Sequence, residues 1–138
     1  MTKRFWMAVA AYVVVSLVLG MLWHFVWFAD LYHRLGMYNR PEPLIPLGIA
    51  SMLIQGIILA YLYPRICAGG SPIRQGITFG LLMGLFLYSV STLANAAKIM
   101  VSPLSTWLGI QALFHATQFI LAGALIGLAY GKEGGRAR

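Results

Sequence analysis

Charged side chains occupy a few narrow places along this chain. Between them lie four long apolar runs, residues 5–29, 44–63, 76–97 and 104–131, that contain no Asp, Glu, Lys or Arg. Each run reaches or exceeds the roughly 20 residues that a helix needs to cross about 30 Å of hydrocarbon. Lipid offers no partner to backbone amides, so spans of this length must be helices; barrel strands would be half as long and would alternate. The pattern predicts an all-α, integral membrane four-helix bundle that forms one domain over residues 1–138. The connections are short. Residues 30–43 form the longest, and Pro41, Pro43 and Pro46 put the start of the second helix near 43–46. Residues 64–75 contain Gly69, Gly70, Ser71 and Pro72, a turn composition. Ser102 or Pro103 opens the fourth helix. The first run follows MTKR, as in a signal peptide, but it is too long for an h-region and no A-x-A-like site follows. It reads as a retained span.

Composition agrees with this reading. The 138 residues are 60% hydrophobic and 9% charged, against about 25% charged in soluble domains. The net charge of +7 raises nucleic acid as a partner, but the cations sit at the termini and between the runs, with no aromatic-and-basic ladder. A lipid bilayer explains them and nucleic acid does not. An even number of spans puts both termini and the 64–75 connection on one side. That side carries Lys3, Arg4, Arg65, Arg74, Lys132, Arg136 and Arg138; the other carries Arg34, Arg40 and Lys98, with Asp30 and Glu42. The charge rule therefore expects both termini in the cytoplasm and, in a bacterial inner (plasma) membrane, the 30–43 connection in the periplasm. Cys67 is the only cysteine, which excludes an intramolecular disulfide. Only Arg65 stands near enough to lower its pKa, and it reads as a small residue at a helix end.

Two glycine series suggest how the helices pack. Gly76, Gly80 and Gly84 lie four apart in the third helix, and Gly123, Gly127 and Gly131 four apart in the fourth. Residues four apart share a helix face, so each series carves a groove that admits another backbone. Both grooves fall in the half nearest the termini, where the simplest account has them face each other or a shared neighbour. The third and fourth helices would then splay at the opposite end and leave room for a cavity. Any groove left exposed could serve a homo-oligomer or a larger membrane complex.

Polar residues at membrane depth are costly and default to a functional reading. The fourth helix carries Trp107, Gln111, His115 and Gln118 on one stripe; the third carries Tyr88, Ser91, Thr92, Asn95 and Lys98; the first carries Gly20, His24 and Trp27; the second adds Gln55 alone. His115 lies about 16 Å below the outer end of its helix at 1.5 Å per residue. Three readings compete. The stripes are interhelical glue at about 0.6 kcal/mol per bond. Alternatively, they line a pocket for a lipid, quinone or similar molecule, with Trp23, His24, Trp27, Asn95, Gln111 and His115 around it and Lys98 at its outer end. Or His24 and His115 hold a haem or metal, with His33 and Met21 extending the set. No C-x-x-C-H or H-E-x-x-H spacing supports the third.

The stretch WHFVWFADLYHRLG, residues 23–36, is where these readings meet. Trp23, Trp27, Phe28 and Tyr32 suit an interfacial aromatic belt. Asp30 and Arg34, four apart, can pair if the helix continues. Only His24 is too deep for a merely interfacial role. The spacing Gly20-x-x-Trp23-His24-x-x-x-Phe28-x-x-x-Tyr32-x-x-x-Gly36 resembles the first-helix signature of a family of small four-helix membrane proteins of bacteria and fungi, catalogued as a domain of unknown function. Here His24 stands where that family has tyrosine, Tyr32 where it usually has tryptophan, and the closing glycine comes one residue early. The other helices match in general character only. The resemblance implies four spans and no particular activity or cofactor.

Catalysis finds little support. The bilayer segments hold no carboxylate for acid–base work, no Ser-His-Asp set converges, and no G-x-S-x-G occurs. A proton-coupled carrier lacks an embedded acid, though a histidine-driven small transporter is conceivable. The expected role is non-catalytic: an accessory subunit, or a binder of a lipophilic ligand in the outer-leaflet half. A haem- or metal-binding electron-transfer or sensor protein is the alternative.

Overall fold

The structure, a computed structural model, describes residues 2–38, 40–67 and 69–131. Lys132, Arg136 and Arg138, which enter the charge asymmetry, lie outside the described residues. Among the described residues there are helices and no strands, and four helices are long and apolar enough to cross a membrane. They are α1 (Lys3–Trp27), α3 (Ile45–Ile66), α4 (Pro72–Ala96) and α5 (Leu104–Tyr130). A short helix, α2 (Ala29–Arg34), follows α1.

Local chemistry sets the ends. The Thr2 hydroxyl accepts from the Phe5 amide and caps α1. Proline in the first turn opens α3 and α4, and Pro103 caps α5. Gly36 and Gly131, at φ 80° and 65°, turn the chain after α2 and α5. The expected stop of the second span before Pro64 is not where α3 ends; the helix runs on to Ile66. Proline removes the amide that would bond the carbonyl four residues back. That carbonyl, Ala60, is taken by the Tyr130 hydroxyl of α5.

The spans pack side by side in the order α3, α1, α5, α4. Near the chain ends, α4 and α5 lie backbone against backbone. A Cβ on Gly76 would stand 3.2 Å from the Gly127 Cα, and one on Gly80 3.1 Å from the Gly123 Cα. Gly84 rests on the Phe119 side chain. Gly131 is not part of this contact; it caps the helix, with open space around it. The glycine grooves are thus filled by each other rather than left for a second copy.

The third and fourth helices, in backbone contact at the glycines, are held apart by side chains towards the other end, and a hollow of about 270 Å³ lies between them beside Gly84, Tyr88 and His115. At the end away from the termini, Tyr88 Oη donates to the Leu108 carbonyl at 3.2 Å and Trp107 Nε1 to the Thr92 carbonyl at 3.4 Å, so these side chains bridge α4 and α5. The start of α3 also stands away from the bundle. Gly56 seats it against the Val9 carbonyl and the Tyr12 ring of α1. Beyond Gly56, residues 44–51 are exposed and Gly48 has nothing within 4 Å of a built Cβ. Two apolar cores result. One, near the chain ends, holds Phe5, Tyr12, Tyr63, Phe79, Phe119 and Ile126. The other, beneath α2, holds Leu19, Trp23, Tyr32, Leu35, Trp107 and Phe114.

Candidate functional site

Between the two cores lies a polar layer, and α5 is its hub. Its stripe is buried and each member bonds outside its own helix. Trp107, 2% exposed, reaches α4 as above. Gln111 Oε1 accepts from the Tyr32 hydroxyl of α2 at 2.8 Å. His115 Nε2 meets the Ser91 hydroxyl of α4 at 3.0 Å. Gln118 Nε2 donates to Ser16 of α1 at 2.8 Å and, at 3.5 Å, to Tyr12, whose hydroxyl in turn donates to Gln55 of α3. One helix thereby contacts every other element through hydrogen bonds that lipid could not supply.

The two histidines are oriented alike. His24 Nδ1 lies 3.1 Å from the Gly20 carbonyl, and His115 Nδ1 lies 2.8 Å from the Gln111 carbonyl. A carbonyl only accepts, so Nδ1 carries the proton in each neutral ring and Nε2 presents its lone pair. At His115 that lone pair accepts from Ser91. At His24 nothing among the described residues bonds it. Phe114 packs edge-on against both imidazoles, with ring centroids 4.6 and 5.5 Å away.

Both histidines line one cavity of about 350 Å³, opened by the splay of α3 from α1. Ser16, Gly20 and His24 form one wall, Gly48, Ser51 and Gln55 the second, and Phe114, His115 and Gln118 the back. The surface is mostly apolar, with a few convergent polar groups, which is the usual character of a small-molecule site.

Two π-helical stretches flank this layer, Leu22–Trp27 in α1 and Ser89–Leu93 in α4. Such stretches are rare and recur at functional sites. They also bear on where the residues singled out in the sequence come to lie. The wider π turn changes the phase of every residue that follows it. Trp27 swings off the His24 face and is 57% exposed. Asn95 turns back to donate to the Ser91 carbonyl at 2.8 Å, and Lys98 is exposed. Trp23 and Gln111 are buried, but in the core under α2. None of Trp23, Trp27, Asn95, Lys98 and Gln111 lines the cavity. Thr92 Oγ1, inside the second π stretch, is buried without a hydrogen-bond partner among the described residues.

The segment after α1 folds over the cavity mouth. Tyr38 stacks between Phe25 and Tyr32, at 6.1 and 5.7 Å, and its hydroxyl donates to the His24 carbonyl at 3.2 Å. Burial pushes the Tyr38 phenol up to about 12 and holds the Tyr32 phenol above the ordinary tyrosine range. Trp23 Nε1 lies near enough to Tyr32 to oppose that shift slightly, yet meets no partner in hydrogen-bond geometry. Asp30 and Arg34 share α2, but no ion pair joins them among the described residues. Burial pushes the Cys67 thiol up, away from the reactive range.

Sequence reasoning passes over Ser16, Ser51, Tyr38 and Phe114. The first was within reach, since Ser16, Gly20 and His24 recur every fourth residue. The others depend on the splay and on the fold of the 34–44 segment, which no periodicity encodes. No protein-family model, curated protein or solved structure matches this chain, and the site is read from its own geometry.

Proposed function

We propose that this chain is a small, non-catalytic polytopic membrane protein that holds a lipophilic ligand with a polar head in the cavity between α1, α3 and α5. The proposal includes a bacterial inner membrane, both termini in the cytoplasm, and kinship with the small four-helix family that the first helix resembles. The observation that carries it is the cavity itself: apolar walls, access from the lipid side past α3, and the free Nε2 of His24 beside His115, Gln118 and Gln55. Of the two non-catalytic roles, accessory subunit and ligand binder, the cavity favours the binder. The His24 lone pair would accept from a hydroxyl or amide of the ligand, and Phe114 would supply contact area.

A haem or metal held between the histidines does not fit these residues. His115 Nε2 is engaged by Ser91, the Phe114 ring packs against both imidazoles, and no three of His, Cys, Asp and Glu cluster among the described residues. Purification in mild detergent tests the proposal. One lipid or quinone species should accompany the wild-type protein by mass spectrometry and be lost from His24→Ala and His115→Ala variants that still fold. A Soret band or stoichiometric metal, or ligand retained in full by both variants, would overturn it.

A further inference from the structure

A second hollow, of about 470 Å³, lies at the mouth of the first. Phe25, Pro43 and Leu44 belong to the walls of both, so the two adjoin at these three side chains. Their chemistry differs. The inner cavity offers neutral polar groups, whereas the outer hollow is lined by Arg40, His33 and Tyr38. Asp30 and Glu42, the acids nearby in sequence, do not line it. Arg40 makes no ion pair among the described residues, so its guanidinium is available. His33 packs edge-on against Tyr38 at 5.0 Å, and Tyr38 is itself fixed by its bond to the His24 carbonyl. The hollow sits at the end of two membrane-length helices, the level at which lipid phosphates lie. The apolar first turns of α3, with Leu44, Ile45 and Leu47 about half exposed or more, lead from it along the bundle.

We infer that the connection between α2 and α3 is a receptor for the headgroup of an anionic phospholipid, whose acyl chain enters the His24–His115 cavity past Phe25 and Leu44. The inference rests on the ligand-binding reading above and names the ligand class. Arg40 supplies a planar, permanently charged fork that matches a phosphate. His33 adds a ring N–H at its side, and Tyr38, its own hydroxyl spent on the His24 carbonyl, holds that ring in place. A sterol or quinone would leave Arg40 unanswered; a zwitterionic phospholipid would offset its charge with its own cation.

Native mass spectrometry of the full chain, released from micelles holding equal phosphatidylglycerol and phosphatidylcholine of matched chains, tests this. One basic side chain near an anionic surface is worth about fivefold in affinity, so bound phosphatidylglycerol should exceed phosphatidylcholine by about that factor. Arg40→Gln should erase the preference. Arg34→Gln, which removes a charge that does not line the hollow, should keep it. Equal binding of the two lipids, or a preference that survives Arg40→Gln, overturns the headgroup assignment and leaves the cavity reading standing. Displacement of phosphatidylglycerol by inorganic phosphate at matched concentration marks a free-anion site and also overturns it. A wild-type protein that retains neither lipid overturns the phospholipid assignment, and the cavity reading falls with it only if no lipophilic species at all accompanies the purified protein.

Discussion

Gly80→Ala adds one methyl group where α4 and α5 touch. The new Cβ would stand 3.0 Å from the Phe119 carbonyl carbon and 3.1 Å from the Gly123 Cα, with the Phe119 oxygen nearer still. Carbon atoms rest at about 3.5–4.0 Å, and the nearer Phe119 oxygen sets the larger demand, so the helices must part by about one ångström along the glycine seam. Both neighbours are backbone and cannot rotate away. Overpacking of this kind costs about 1–3 kcal/mol, and a backbone obstacle places Gly80→Ala towards the upper end. Gly109→Ala on α5 is the matched control, because its Cβ meets nothing within 4 Å. It should change stability by less than about 0.5 kcal/mol. Reversible unfolding by sodium dodecyl sulfate from a mild detergent, followed by near-ultraviolet circular dichroism, measures both. Equal shifts for the two variants would refute the reasoning, since the same chemical change would then be indifferent to what surrounds it.

Gln118→Leu removes the donor to Ser16 and Tyr12. At about 0.6 kcal/mol for each interhelical bond, it should cost about 1 kcal/mol in the same assay. Thr117→Val, which loses only a bond to its own helix at Leu113, should be neutral. The Tyr38 phenol titrates higher in the folded chain than the ordinary 10.0, at about 12. A raised folded value means stability that is complete below pH 10 and lost as pH climbs towards 12; a pH series of unfolding midpoints should show this fall, reduced in Tyr38→Phe.

The spans were legible because they follow from composition alone: a run of about 20 uncharged residues has few homes outside lipid. The glycine spacing also carried its meaning, since Gly76, Gly80, Gly123 and Gly127 each face backbone. The site was legible only where α-helical phase holds. His115 and Gln118 keep their face because α5 is regular, and His24 lies early enough in its π stretch to keep its own. Trp27 closes a π stretch and Asn95 and Lys98 follow one, and a period of 3.6 groups them with faces from which the structure turns them away. No local pattern distinguishes a π turn from an α turn in these apolar runs. Pro64 misled for a different reason. Its cost is met by Tyr130, a residue 66 positions later, and such compensation belongs to tertiary structure. The splay of α3 likewise depends on where Gly56 lets it touch α1.

Gly20→Phe tests the central claim most directly. Gly20 lines the cavity and a Cβ there meets nothing within 4 Å, so a larger side chain can leave the backbone freely and take up space in the cavity. The measurement is native mass spectrometry of wild type and variant from the same lipid-containing micelles. The account predicts one bound lipid on the wild type and none on Gly20→Phe, with unfolding midpoints that agree. A bound lipid that persists with the cavity filled would contradict it.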